Sequence, residues 1–108
     1  PKYLLKESGS NDSPERTETN VANSDGTLIC TFGRLTGGSK VTAEFARKHG
    51  KPFLHLDLNA EATDYAVKCV REWLTEQDIK TLNVAGGRES ESAGLHGAVK
   101  DLLTRVFR

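Results

Sequence analysis

Three short apolar runs, each followed by a stretch with helical spacing, constrain this chain more than any other feature. Thr27-Leu28-Ile29-Cys30-Thr31-Phe32 is β-branched and apolar on both alternating faces, the pattern of a strand covered by helices on two sides. Phe53 to Leu58 and Thr81 to Ala85 are two further runs of the same kind. Ser39 to Lys48 carries Val41, Phe45 and the small Ala43 and Ala46, which suit a helix packed closely on a sheet. Glu61 to Gln77 spaces Val67, Val70, Trp73 and Leu74 three and four residues apart, and a last helix from about Gly94 carries Leu95, Val99, Leu102, Leu103 and Val106. Strand and helix in alternation predict an α/β fold with a parallel sheet and right-handed crossovers.

The N-terminal part is different. Pro1 to Asp12 holds one apolar cluster, Tyr3-Leu4-Leu5, and then Ser, Gly and Asn, and reads as an extended arm followed by a loop. Ser13-Pro14-Glu15-Arg16 is a helix start with a side-chain cap and proline in the first turn, so a short helix is expected from about Pro14 to Ala22, broken by Asn23-Ser24-Asp25-Gly26. At 108 residues the chain buries one core. Residues 1–108 are therefore one domain, with an arm and short helix over 1–25 and strand-helix repeats over 26–108.

Charge narrows the function classes. Lysine plus arginine and aspartate plus glutamate both number 15, so no global field draws the chain to nucleic acid or an anionic membrane, and any anion site is local. No apolar run approaches the ~20 residues of a bilayer span, and no basic-then-apolar leader opens the chain, which makes the cytoplasm the expected compartment. Cys30 and Cys69 lack metal or redox spacing and read as buried free thiols. His49, His55 and His96 have no partner four residues away, so structural or surface roles are expected and no metal site is assigned.

Chemistry is expected in two glycine-rich turns that leave strands and enter helices. In a parallel sheet such turns emerge on one edge and converge on one ligand. Glycine lets backbone approach an anion, and the free N–H groups at a helix start attract it, so Gly37, Gly38 and Ser39 form one cradle and Gly86, Gly87 and Ser90 a second. Thr36 lies in the first turn and Glu89 in the second, and Arg34 and Arg88 are placed to grip an anion bidentately. Thr42 and Glu44 follow in the first turns of the helix, where a carboxylate serves as an organiser, a ribose-hydroxyl acceptor or an acid/base. Asp57 and Asn59 are placed to reach the same edge, where turn and capping chemistry is the alternative role. Neither turn is a Gly-Lys-Ser/Thr phosphate loop or a G-x-G-x-x-G fingerprint, so triphosphate hydrolysis and nicotinamide binding lose support.

The ordered series Arg16-Thr17-Glu18-x-Asn20-Val21, Ser24-Asp25-Gly26-Thr27-Leu28, Leu35-Thr36-Gly37-Gly38-x-x-x-Thr42-Ala43, Lys51-Pro52 and Leu82-Asn83-Val84-Ala85-Gly86-x-Arg88-Glu89-Ser90 resembles the "putative molybdenum carrier" family. That family is a circularly permuted branch of the SLOG Rossmann-like superfamily. The resemblance runs from about Tyr3 onward and implies a three-layer sandwich whose three strands lie in the order 2-1-3, with the Thr81–Ala85 strand beside the Thr27–Phe32 strand. Relatives usually carry a further N-terminal strand and helix with a Gly-Gly-Gln-Thr-Gly-Ala-Asp turn, so the resemblance implies a segment missing before Pro1. It also implies a free sheet edge needing cover, and self-association into a homo-oligomer. At Gly87 relatives often show proline, which leaves this turn less rigid but keeps Arg88-Glu89-Ser90.

Three readings of function follow. The first is a binding protein for a nucleotide or phosphate-like oxyanion, with molybdate or a molybdenum cofactor as cargo. The second is an N-glycosidic hydrolase resembling the cytokinin-activating phosphoribohydrolases, in which Glu44 of Gly37-Gly38-x-x-x-Thr42-x-Glu44 is the catalytic group. That spacing departs from the enzyme motif Gly-Gly-x-Gly-Thr-x-x-Glu and lacks its third glycine. The third is an interaction module whose glycines serve only the turns.

Overall fold

The computed structural model describes residues 4–8, 13–35, 37–60, 62–85 and 94–108, with backbone alone for 4–8 and 96, so the expected role of the His96 side chain lies outside the described residues. Its elements run β1 (Leu4–Ser8), α1 (Pro14–Ala22), β2 (Gly26–Thr31), α2 (Gly37–Lys48), β3 (Phe53–Asp57), α3 (Thr63–Glu76), β4 (Thr81–Ala85) and α4 (Leu95–Val106). All strand pairings are parallel, in the order β1-β4-β2-β3. The three expected strands lie in the expected order, and β4 is beside β2 as the resemblance implied.

A fourth strand corrects the reading of the N-terminal arm. Leu4–Ser8 is not a detached arm but pairs with Thr81–Ala85, Leu4 opposite Thr81 and Ser8 opposite Ala85. Only two of its residues, Leu4 and Leu5, are apolar. Its strand character thus comes from the ladder that β4 offers rather than from a period of its own.

Alternation along β2 sorts the core into two faces. Leu28 and Cys30 join Leu82, Val84, Val67, Val70, Leu74, Leu95, Val99, Leu102 and Val106 on the α3/α4 side. Ile29 instead meets Ala85 and Ala43 of α2 on the other side, where small residues allow helix and sheet to approach closely. Helix α1 packs beside α2, and Glu18 joins them through Lys48 (2.9 Å) and His49 (2.7 Å). The sheet direction reverses after β3, which sends α3 to the face opposite α2 when crossovers are right-handed.

The amino edge of the sheet is closed by Asp25. Its carboxylate accepts from Lys80 N–H (2.9 Å) and Thr81 N–H (2.8 Å), while its own N–H donates to Thr81 O. Next to it, a side chain at Gly26 would require the end of the Ile79 side chain to shift. A Cβ there would stand 2.5 Å from Ile79 Cδ1 and 3.1 Å from Trp73 Cη2.

One expectation about the thiols is corrected. Cys30 is buried, but Cys69 is only half-buried, because it lies on the flank of α3 rather than on the side that meets the sheet.

Candidate functional site at the carboxyl edge of the sheet

Strands β2, β3 and β4 end on one edge: Thr31 is level with Asp57, and Ile29 with Ala85. From this edge α2 leaves toward the face of Ile29 and Ala85, whereas α4 packs on the face of Leu28 and Val84. Adjacent strands whose helices depart to opposite faces leave a crevice between their ends, the place where open α/β sheets bind ligands.

A polar network fixes the chain as it leaves β2. Gly33, at φ +106°, donates its N–H to Asp57 Oδ1 at 2.8 Å, and Asn59 N–H donates to the same oxygen at 2.9 Å. These amide donors hold the Asp57 carboxyl below the ordinary carboxylate range. Thr31 Oγ1 donates to Gly33 O and lies 2.8 Å from His55 Nε2. Asp57 and His55 thus work as braces of the loop from β2 to α2, and the sequence showed only that Asp57 was near the edge.

Helix α2 opens at Gly37, whose φ of +52° is a left-handed conformation that a side chain would strain. Gly38 and Ser39 complete its first turn, where main-chain N–H groups have no helical acceptor. Arg34 is exposed in the preceding loop and forms no ion pair among the described residues. Gly37, Gly38 and Ser39 therefore stand at the start of α2, and Arg34 in the loop that follows β2.

Two residues of the same helix are placed otherwise. Thr42 is buried and its hydroxyl donates to Gly38 O at 2.9 Å, so it serves the helix backbone. Glu44 is exposed, and lies two residues from Thr42 and Ala46, which puts it on the face turned away from the sheet. Thr36, Gly86, Gly87, Arg88, Glu89 and Ser90 fall outside the described residues.

Among the described residues, no three His, Cys, Asp or Glu side chains cluster as a metal site. No helix there is long and apolar enough to cross a membrane.

Comparison with solved structures gives a protein described as "putative molybdenum carrier protein" from Syntrophus aciditrophicus, at a TM-score of 0.86 and 39% identity. The match covers 90% of this chain and 61% of that one, so this chain spans about three-fifths of its length. Comparison with curated proteins gave no match. The family model described as "Circularly permutated YpsA SLOG family" matches residues 1–107. With nearly every residue matched by that model, the chain belongs to the circularly permutated YpsA SLOG family.

Proposed function

We propose that the chain binds a phosphate-like oxyanion or a nucleotide phosphate at the crevice between the ends of β2 and β4, acting as a small-molecule carrier in the cytoplasm. The observation that carries this reading is the start of α2 at the sheet's switch point. Gly37 at φ +52° and Gly38 there present backbone amides with no side chain in the way, beside the exposed Arg34. Tetrahedral oxyanions and phosphates make the same demand on such donors. Gly86, Arg88, Glu89 and Ser90 follow β4 in sequence and would supply the opposite wall. The molybdenum carrier description of the similar protein makes molybdate, or the phosphate of a molybdenum cofactor, the first ligand to test. The exposed, outward position of Glu44 gives the hydrolase reading no comparable support.

Thermal unfolding with excess molybdate, phosphate, AMP or ADP-ribose tests the proposal. A ligand bound only by the native state at 100 times its Kd adds about 2.7 kcal/mol. The expected result is stabilisation by at least one of the four that Arg88→Ala removes. Stabilisation by none of them overturns the reading.

A further inference from the structure

The unit β2–α2–β3 consists of a strand, a glycine turn, a helix and a parallel strand paired directly with the first. Open α/β sheets that hold nucleotides use such a unit. The phosphate rests at the start of the helix, and an acidic side chain about 20 residues beyond the glycines accepts from a ribose hydroxyl. Asp57 stands twenty residues beyond Gly37. It is the last residue of β3, level with Thr31 at the end of β2. The start of α2 and this carboxylate therefore follow adjacent strands on one edge of the sheet.

Hydrogen bonding separates the two oxygens of Asp57. Gly33 N–H and Asn59 N–H both donate to Oδ1, at 2.8 and 2.9 Å, and among the described residues Oδ2 takes no bond. Two amides on one oxygen need only a carbonyl there, so an asparagine would brace the loop as well. A carboxylate adds a second, charged acceptor. The residue is half-buried, and the Gly33 and Asn59 amides hold its carboxyl below the ordinary range, so at neutral pH it is ionised and can only accept. The same two bonds fix its orientation before a ligand arrives, which lowers the cost of binding.

This carboxylate discriminates between anions. A dianion such as molybdate offers Asp57 no donor and is opposed by its charge. A phosphate that carries a ribose offers hydroxyl donors several bonds away from its own charge. The turn after β2 lacks the G-x-G-x-x-G fingerprint of dinucleotide sites, which points to one nucleotide unit rather than two.

Resting on the reading of α2 as an anion site, we propose that the crevice takes a ribonucleoside 5′-phosphate, its phosphate at Gly37 and Gly38 and a ribose hydroxyl donating to Asp57 Oδ2. The ligand then extends from between β2 and β4 across the end of β2 to β3.

Calorimetric titration of the full chain with AMP, GMP, CMP and UMP, and with the 2′,3′-dideoxy form of each that binds, tests this without altering the protein. At least one ribonucleotide should bind about tenfold or more tightly than its dideoxy form, the weight of a hydrogen bond to a charged group. Asp57→Asn keeps an oxygen for Gly33 and Asn59 but places an NH2 group where Oδ2 stood. It should cancel that preference without weakening the binding of inorganic phosphate, and the Gly33 and Asn59 amides should remain slow to exchange. Equal binding of the two forms, binding of phosphate or molybdate but of no ribonucleotide, or a preference that survives Asp57→Asn overturns the inference and leaves the oxyanion site standing. A hydroxyl preference that Asp57→Asn removes and Arg88→Ala leaves intact supports it and tells instead against the wall assigned to the turn after β4. Binding of none of these compounds overturns both readings.

Discussion

Two cysteines of one type separate cleanly by environment. Burial pushes the Cys30 thiol up to about 12, since a thiolate between β2 and its covering helices would lose its hydration. Cys69 keeps part of its surface in water. A thiol reagent at pH 8 should therefore modify one cysteine per chain quickly, and the second only at the rate of unfolding. Mass mapping of the labelled peptide checks the order, and fast labelling of Cys30 would mean that β2 is not covered as described. The apolar run around Cys30 made its burial legible, but the helical spacing around Cys69 did not reveal which flank it occupied. Gly26 carries a second residue-scale consequence. Its missing Cβ leaves space already filled by Ile79 and Trp73, so Gly26→Ala overpacks the junction of β2 with the α3–β4 connection. Chemical denaturation should show a loss of about 1–3 kcal/mol, the usual cost of forcing an extra carbon into a packed core. The sequence displayed this glycine only as part of a helix-breaking stretch, because what fills the space stands more than forty residues away.

At the scale of elements, local chemistry decided most boundaries. Helix α1 spans Pro14–Ala22 as expected because its signals are all local: Ser13 Oγ accepts from Arg16 N–H at 3.2 Å, and proline occupies the first helical position. Ser13→Ala removes that acceptor and should lower stability by about 1 kcal/mol, measured by urea unfolding, whereas Ser13→Asp should leave it nearly unchanged. Helix α2 starts two residues before the expected Ser39, since the left-handed Gly37 lets the glycines themselves enter the first turn. Helix α3 begins at Thr63 rather than Glu61, with Ala62 in the capping position and no side chain closing it. Strand β1 was the element that sequence could not supply. Lys6, Glu7 and Ser8 carry no apolar alternation, and the pairing that makes them a strand belongs to β4, more than seventy residues away. Registers between distant segments are where a single sequence is least informative, and the same limit hid the candidate site's polar bracing. That parallel strands would bring two glycine turns to one edge was legible from alternation alone. That Thr31 and Asp57 would meet Gly33, and His55 would meet Thr31, depended on Thr31 standing level with Asp57.

Across the whole molecule, three carboxylates tie together segments that are remote in sequence. Asp25 holds the start of β4 at the amino edge, Asp57 holds the loop after β2 at the carboxyl edge, and Glu18 bridges α1 to the end of α2. Amide donors, Thr81 and Lys80 for Asp25 and Gly33 and Asn59 for Asp57, keep both carboxyls below their ordinary range. For Glu18 the cause is hydrogen bonding to Lys48 and then His49. A carboxyl whose pKa is lowered by folding binds its proton more readily in the unfolded chain. Its contribution is therefore complete above the unfolded value and is lost as pH falls through the folded one. Stability referred to these groups should be level near neutrality and decline from about pH 5 downward. All three are at least partly open to solvent, so each contribution is modest and weakened by salt. The comparison to make is urea midpoints between pH 7 and pH 3 for the unaltered chain and for the double variant Asp25→Asn, Asp57→Asn. The amides keep an acceptor oxygen but cannot be charged, so the variant should be less stable at neutral pH and should lose less on acidification. Parallel acid limbs in the two proteins would remove both carboxylates from the account, and leave the bracing of the two sheet edges indifferent to their charge.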